Sequence, residues 1–229
     1  MTRRIIRAGS AVAITAFLAV GCGDGSGGLP DPQFLLRGAT AASAAVTSAH
    51  VEMSSEGSLS GFSARELNAD VRARGKSGPG ASVGTAEVAG ATLAFVEQEG
   101  RFYSRGADGR YSAAQLPGGA ALPRPSELLD PERGLAKLLG GLRDVRTEVR
   151  EEHEGVLSFR VAGTVPRADA AVWLPGTAGD PRLTVWFAAQ GRHLPVGTRL
   201  ATVNDTGEPV TIDFALSELN EKVQIPAVD

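Results

Sequence analysis

The chain is poor in cysteine, histidine and aromatic residues. Of 229 residues one is Cys, three are His, two are Trp and two are Tyr, and aromatics make up 5%. A single cysteine cannot close an internal disulfide, and it cannot build a Cys-based zinc or iron–sulfur site. His50, His153 and His193 stand far apart, with no second His at metal-ligating spacing and no H-E-x-x-H or P-loop pattern. Cationic excess is lacking too. The formal charge is −3, so there is no basic field to draw nucleic acid. Gly57-Ser58-Leu59-Ser60-Gly61 carries Leu where a nucleophile elbow needs Ser. Asp130 with Glu132 reads as the start of a helix, and Glu151, Glu152 and Glu154 as solvated charges at a hairpin turn. Asn204-Asp205-Thr206 reads as a turn, although it also fits the glycosylation pattern. The expectation is a protein that is not an enzyme and needs no metal or cofactor.

What is present begins at the N-terminus. Arg3, Arg4 and Arg7 precede an apolar run from Ala8 to Val20, broken only by Gly9, Ser10 and Thr15. That run is short for a bilayer span and has the layout of a secretory signal. It leads through Leu18-Ala19-Val20-Gly21 into the only cysteine, Cys22, and the segment resembles a bacterial lipobox. The expectation is lipidation of Cys22, with residues 1–21 a lipoprotein signal peptide, 22–31 a flexible Gly-rich tether and 32–229 the folded domain. Removing residues 1–21 takes three arginines and no acid, which moves the charge from −3 to −6. The protein would then be lipid-anchored at the cell membrane, on its extracytoplasmic face. Gly23, Gly25 and Gly28 match G-x-G-x-x-G, but no strand precedes them, so they read as linker.

Asp31-Pro32 supplies an N-cap and a first-turn proline for a helix running to about Ser48. Beyond it the period becomes two. Val51 and Met53 alternate with Glu52 and Ser54, and Leu67, Ala69 and Val71 with Glu66, Asn68 and Asp70. Gly90 separates Val83–Val88 from Ala91–Glu97 as a hairpin. A second helical stretch carries Leu128, Leu135, Leu139 and Leu142 and stops at Gly140-Gly141, and a third short helix runs from Ala168 to Leu174. Strands resume around Val145–Val149, Leu157–Val161, Leu183–Phe187 and Val210–Leu216, with a less regular stretch between Leu194 and Val203. The sum predicts an α+β fold: one curved antiparallel sheet of about nine to eleven strands, a half-barrel, with helices covering its concave face around an apolar cavity.

Leu128-Leu129-Asp130-Pro131-Glu132-Arg133-Gly134-Leu135-Ala136-Lys137-Leu138-Leu139 resembles the LLDPxxGLAxLL segment of the actinobacterial LppX/LprA/LprF/LprG lipoproteins. Further markers agree in order: Phe159-Arg160-Val161-Ala162-Gly163-Thr164-Val165-Pro166, Leu174-Pro175-Gly176, Leu183-Thr184-Val185-Trp186 and Gly207-Glu208-Pro209-Val210-Thr211-Ile212. Leu194-Pro195-Val196-Gly197 departs by interrupting a strand. The resemblance implies a cavity that binds acylated lipids or glycolipids and a role in moving them through the cell envelope. It also raises a membrane transporter as a partner, although no residue here names one. Strand parity then assigns the cavity walls to Val51, Met53, Leu67, Val71, Leu93, Phe95, Leu157, Phe159, Val161, Leu183, Val185 and Phe187, with Leu135, Leu139 and Val172 from the helices. Enlarging a wall residue, as in Val161→Trp, is expected to reduce lipid carriage while leaving the fold intact. The alternative is a non-carrier surface lipoprotein, a structural or interaction module with a filled core; an envelope hydrolase has the least support.

Overall fold

The structure is a computed structural model that describes residues 28–75, 78–114, 122–171, 174, 176–191 and 194–228. Cys22 and Val172 lie outside the described residues. The element order is α1 (Pro32–Ala44), β1 (Ser48–Glu56), β2 (Ala64–Arg72), β3 (Ala81–Val88), β4 (Ala91–Gln98), β5 (Arg101–Arg105) and β6 (Tyr111–Ala113). It continues with α2 (Pro125–Leu128), α3 (Leu135–Gly140), β7 (Arg143–His153), β8 (Val156–Thr164), α4 (Arg167–Ala170), β9 (Arg182–Ala188), β10 (Pro195–Val203) and β11 (Pro209–Ser217). All eleven strands form one antiparallel sheet in the order β6-β5-β4-β3-β2-β1-β11-β10-β9-β8-β7. Only the β1–β11 neighbourhood joins strands distant in sequence. The half-barrel stays open, with β6 and β7 at its two edges.

Register explains the face assignment. Val51 pairs with Ala69 and Leu216, and Met53 with Leu67 and Phe214, so the apolar members of three strands share one face. Farther along, Phe159 faces Phe187 and Val161 faces Val185. The opposite face carries charge: Glu148 accepts from Arg146, Arg160 and Arg182, and Glu151 accepts from Arg160 and from Trp186 Nε1 at 2.8 Å. Burial works to raise the Glu148 carboxyl, but the three arginine partners together bring it below its ordinary value. Glu151 therefore differs from the expectation of a solvated acid, because the next strands present Arg160 and Trp186 to it. Glu152 and Glu154 are exposed as expected.

The helices are shorter than their patterns suggest. Asp31 caps α1 as expected, its Oδ1 accepting from Gln33 N at 2.7 Å. The helix ends at Ala44 instead of near Ser48, because Ser48 already pairs with Arg72 in the β1–β2 ladder. The second helical stretch is two helices, α2 and α3, separated by the Leu129–Gly134 turn. Pro131 has no N–H to continue α2, and the carbonyls of Glu127, Leu128 and Asp130 converge on Gly134, where an added Cβ would lie 2.2–2.6 Å from them. Asp130 accepts from Glu132 N and pairs with Arg133, which fits its expected place at a turn into a helix. β10 is a regular strand except for a register shift between Pro195 and Gly197. Gly197 leaves room for the His153 ring, which stacks on Trp186 at 4.0 Å; a Cβ would lie 2.3 Å from that ring and force it to move. Asn204 forms the expected turn. Its Oδ1 accepts from Thr206 N, Thr206 Oγ1 and Glu208 N, and its Nδ2 donates to Ser58 O.

Candidate functional site

The covered face of the sheet and the helices enclose one apolar cluster. Among the residues expected to line a cavity, Val51, Leu67, Val71, Phe95, Leu135, Leu139, Val161, Leu183, Val185 and Phe187 are all at most 2% exposed within it. Met53, Leu93 and Phe159 pack against it half-buried. Leu157 does not join them. It has the right parity, but it lies next to the β7–β8 turn and is 43% exposed.

Within this cluster lies an apolar cavity lined by Val51, Met53 and Leu67 from the expected set. Its other walls are Phe62, Pro123, Pro125, Leu128, Leu138, Leu174, Leu200, Ile212 and Phe214. No charged side chain is among them. Leu200, Ile212 and Phe214 have the parity of their strands and could have been read from it. Phe62 and Leu174 sit in connecting segments that no periodicity marks. The cavity holds about 40 Å³. Sites for small ligands measure roughly 300–1,000 Å³, so this one is a narrow seam in the present conformation. Leu128 and Leu138 of the helices form part of its wall.

Helix α2 forms the partition between this seam and a polar cleft of about 670 Å³. Pro125 and Leu128 line the seam, while Ser126 and Glu127 line the cleft together with Arg74, Glu97, Glu99, Arg124, Asp130 and Arg133. Glu97 stands out. It pairs with Ser82 and Phe102 in the ladders, on the same face as Phe95, and is 1% exposed. Its carboxylate accepts from Ser126 Oγ at 2.8 Å, Ser126 N at 3.2 Å and Ser82 Oγ at 3.1 Å. Burial pushes its carboxyl above the ordinary value, against the opposing pull of these bonds and of the Arg124 charge. The alternation through Leu93 and Phe95 already points Glu97 inward, so it was available to sequence reasoning and was missed.

His50 gains partners that spacing does not reveal. His50 Nδ1 lies 2.7 Å from Asp70 Oδ1, and Glu218 completes a group whose ligand atoms all lie within 4.8 Å of one another. Both acids are exposed, and the His–Asp hydrogen bond accounts for the contact.

The LppX_LprAFG lipoprotein family model matches residues 31–225, nearly the whole described chain. The chain belongs to this family. The lipoarabinomannan carrier protein LprG of Mycobacterium tuberculosis is 29% identical over 222 residues, covering 94% of this chain and 92% of that protein. Lipoprotein LprA of the same organism is 29% identical over 198 residues, covering 80% of this chain and 77% of that protein. Two crystal structures share the fold. LprF from Mycobacterium bovis has a TM-score of 0.70 at 22% identity and covers 87% of this chain and 99% of its own. The M. tuberculosis lipoprotein LppX has a TM-score of 0.64 at 23% identity, with coverages of 86% and 100%. No helix among the described residues is long and apolar enough to cross a membrane.

Proposed function

We propose that the chain is a lipid-anchored carrier. It binds acylated lipids or glycolipids between its sheet and helices and carries them across the cell envelope. The observation that supports this most directly is the seam itself, an interior space walled entirely by apolar side chains between sheet and helices. The physical need is plain. Each methylene exposed to water costs about 0.8 kcal/mol, so a long acyl chain leaves a bilayer slowly unless a protein shields it. The naming of LprG relatives as lipoarabinomannan carriers supports the same reading. Cys22 would hold the anchor and residues 22–31 the tether, placing the domain at the extracytoplasmic face of the membrane. Such carriage requires no catalytic residue and no cofactor.

A second reading has one observation in its favour. A seam of about 40 Å³ is also what a non-carrier lipoprotein with a filled core would show. Transfer of a pyrene-labelled diacyl phospholipid from donor to acceptor vesicles separates the two. The carrier accelerates transfer in proportion to its concentration. A chain that neither accelerates transfer nor retains labelled lipid is the module and not the carrier.

A further inference from the structure

We propose that α2 is the gate of the lipid site and that Glu97 is the clip that holds it shut. This rests on the carrier reading above. A seam of about 40 Å³ cannot admit an acyl chain, so a carrier of this fold must move part of its wall. The strands that line the seam are bonded into their ladders on both sides. Helix α3 is braced against α1. Helix α2 is four residues long, has no side-chain cap and rests on β2 and β3. Among the described residues its polar attachment to the sheet is the Glu97 carboxylate, which takes two bonds from Ser126 and a third from Ser82 of β3.

The chemistry of that attachment suits a reversible contact. Sheet alternation would place an apolar residue at position 97, and burying an acid there costs desolvation that Leu or Phe would avoid. The far side of α2 is the 670 Å³ polar cleft. When α2 lifts, water from the cleft reaches the carboxylate and Ser126, so opening strands no buried charge. The same movement takes Pro125 and Leu128 out of the seam wall and joins the seam to the cleft. Acyl chains then enter past α2 while the headgroup stays in the cleft. The other charges of the cleft are largely internally paired: Arg124 with Glu127 at 3.2 Å, and Arg133 with Asp130 at 3.2 Å. Glu99 and Arg74 complete its charged lining.

A crosslink tests this. A Cβ at Gly80, just ahead of β3, would lie 3.0 Å from Ser126 Cβ. Disulfides span about 3.5–4.5 Å between Cβ atoms, so a shift of roughly half an ångström accommodates one. The full chain carrying Cys22→Ser, Gly80→Cys and Ser126→Cys has the new pair as its only thiols. Uptake of the pyrene-labelled diacyl phospholipid from phosphatidylcholine vesicles should be abolished in the oxidised form and restored by reduction. Equal uptake in both forms overturns the gate. Glu97→Gln provides a second measurement should the crosslinked chain fail to fold or oxidise. It removes one acceptor from the clip and should speed uptake about threefold to tenfold, the equivalent of one hydrogen bond, at unchanged capacity. An unchanged rate overturns the assignment of Glu97. If the parent chain with Cys22→Ser takes up no lipid, the carrier reading itself fails and the gate fails with it.

Discussion

Glu97 carries the plainest prediction at the scale of single residues. Burial raises its carboxyl above the ordinary 4.5, outweighing the bonds from Ser126 and Ser82. The folded chain therefore keeps this proton at pH values where the unfolded chain has lost it. Stability from this group is fully present below the unfolded value and is lost as pH rises through the raised folded value. Unfolding free energies from urea titrations should show the wild type falling relative to Glu97→Gln as pH rises above 4.5; a difference that stays flat from about pH 4 to about pH 8 contradicts the assignment. Met53 is the residue at which to block the seam. It lines the cavity and is only half-buried, so Met53→Trp can fill the seam at an overpacking cost of about 1–3 kcal/mol. Uptake of labelled lipid should drop at least tenfold, the equivalent of about 1.4 kcal/mol, while the far-UV spectrum is kept. Val161, first singled out from parity, is less suitable. It is fully buried outside the seam lining, so Trp there would test folding more than carriage.

Among the elements, strands were legible and helices were legible in place but not in length, for a physical reason. An antiparallel sheet with one wet face writes its period into the sequence, and Val51/Met53, Leu67/Val71 and Val161/Phe159 all fall on the covered face. The helices obey tertiary demands instead. The leucine stripe from Leu128 to Leu142 is continuous in sequence, yet it breaks at Pro131 and Gly134 because the turn between α2 and α3 brings three carbonyls against Gly134. Gly134→Ala should cost about 1–3 kcal/mol in urea unfolding, since backbone must shift to admit the methyl. Gly38, on the exposed side of α1 with nothing near its missing Cβ, should respond in the opposite sense. Gly38→Ala is expected to stabilise by about 0.5–1 kcal/mol. Equal gains at both positions would show that helix propensity, and not crowding at the turn, governs this region.

At the scale of the whole molecule, the open sheet has two edges to protect. β6 is only three residues long, and β7 breaks register twice, between Arg143 and Arg146 and between Thr147 and Val149. Short and bulged edges of this kind discourage pairing with a second chain. The sheet, its order of faces and most of its covered apolar face could be read from alternation and from the family markers, whereas only Val51, Met53 and Leu67 of the expected wall line the seam. The size of the interior space could not, because it depends on how deeply Leu128, Leu138 and Leu174 descend between the strands. The position of α2 between an apolar seam and a charged cleft is likewise a product of packing. The seam is thus proposed as a narrow apolar lipid site opened by one short helix. Native mass spectrometry of the chain purified from a lipid-containing envelope tests this most directly. The account predicts lipid adducts that survive gentle ionisation, vanish on unfolding and are missing from Met53→Trp. A wild-type chain that is free of lipid and stays so after incubation with vesicles, or adducts retained equally in Met53→Trp, would contradict it.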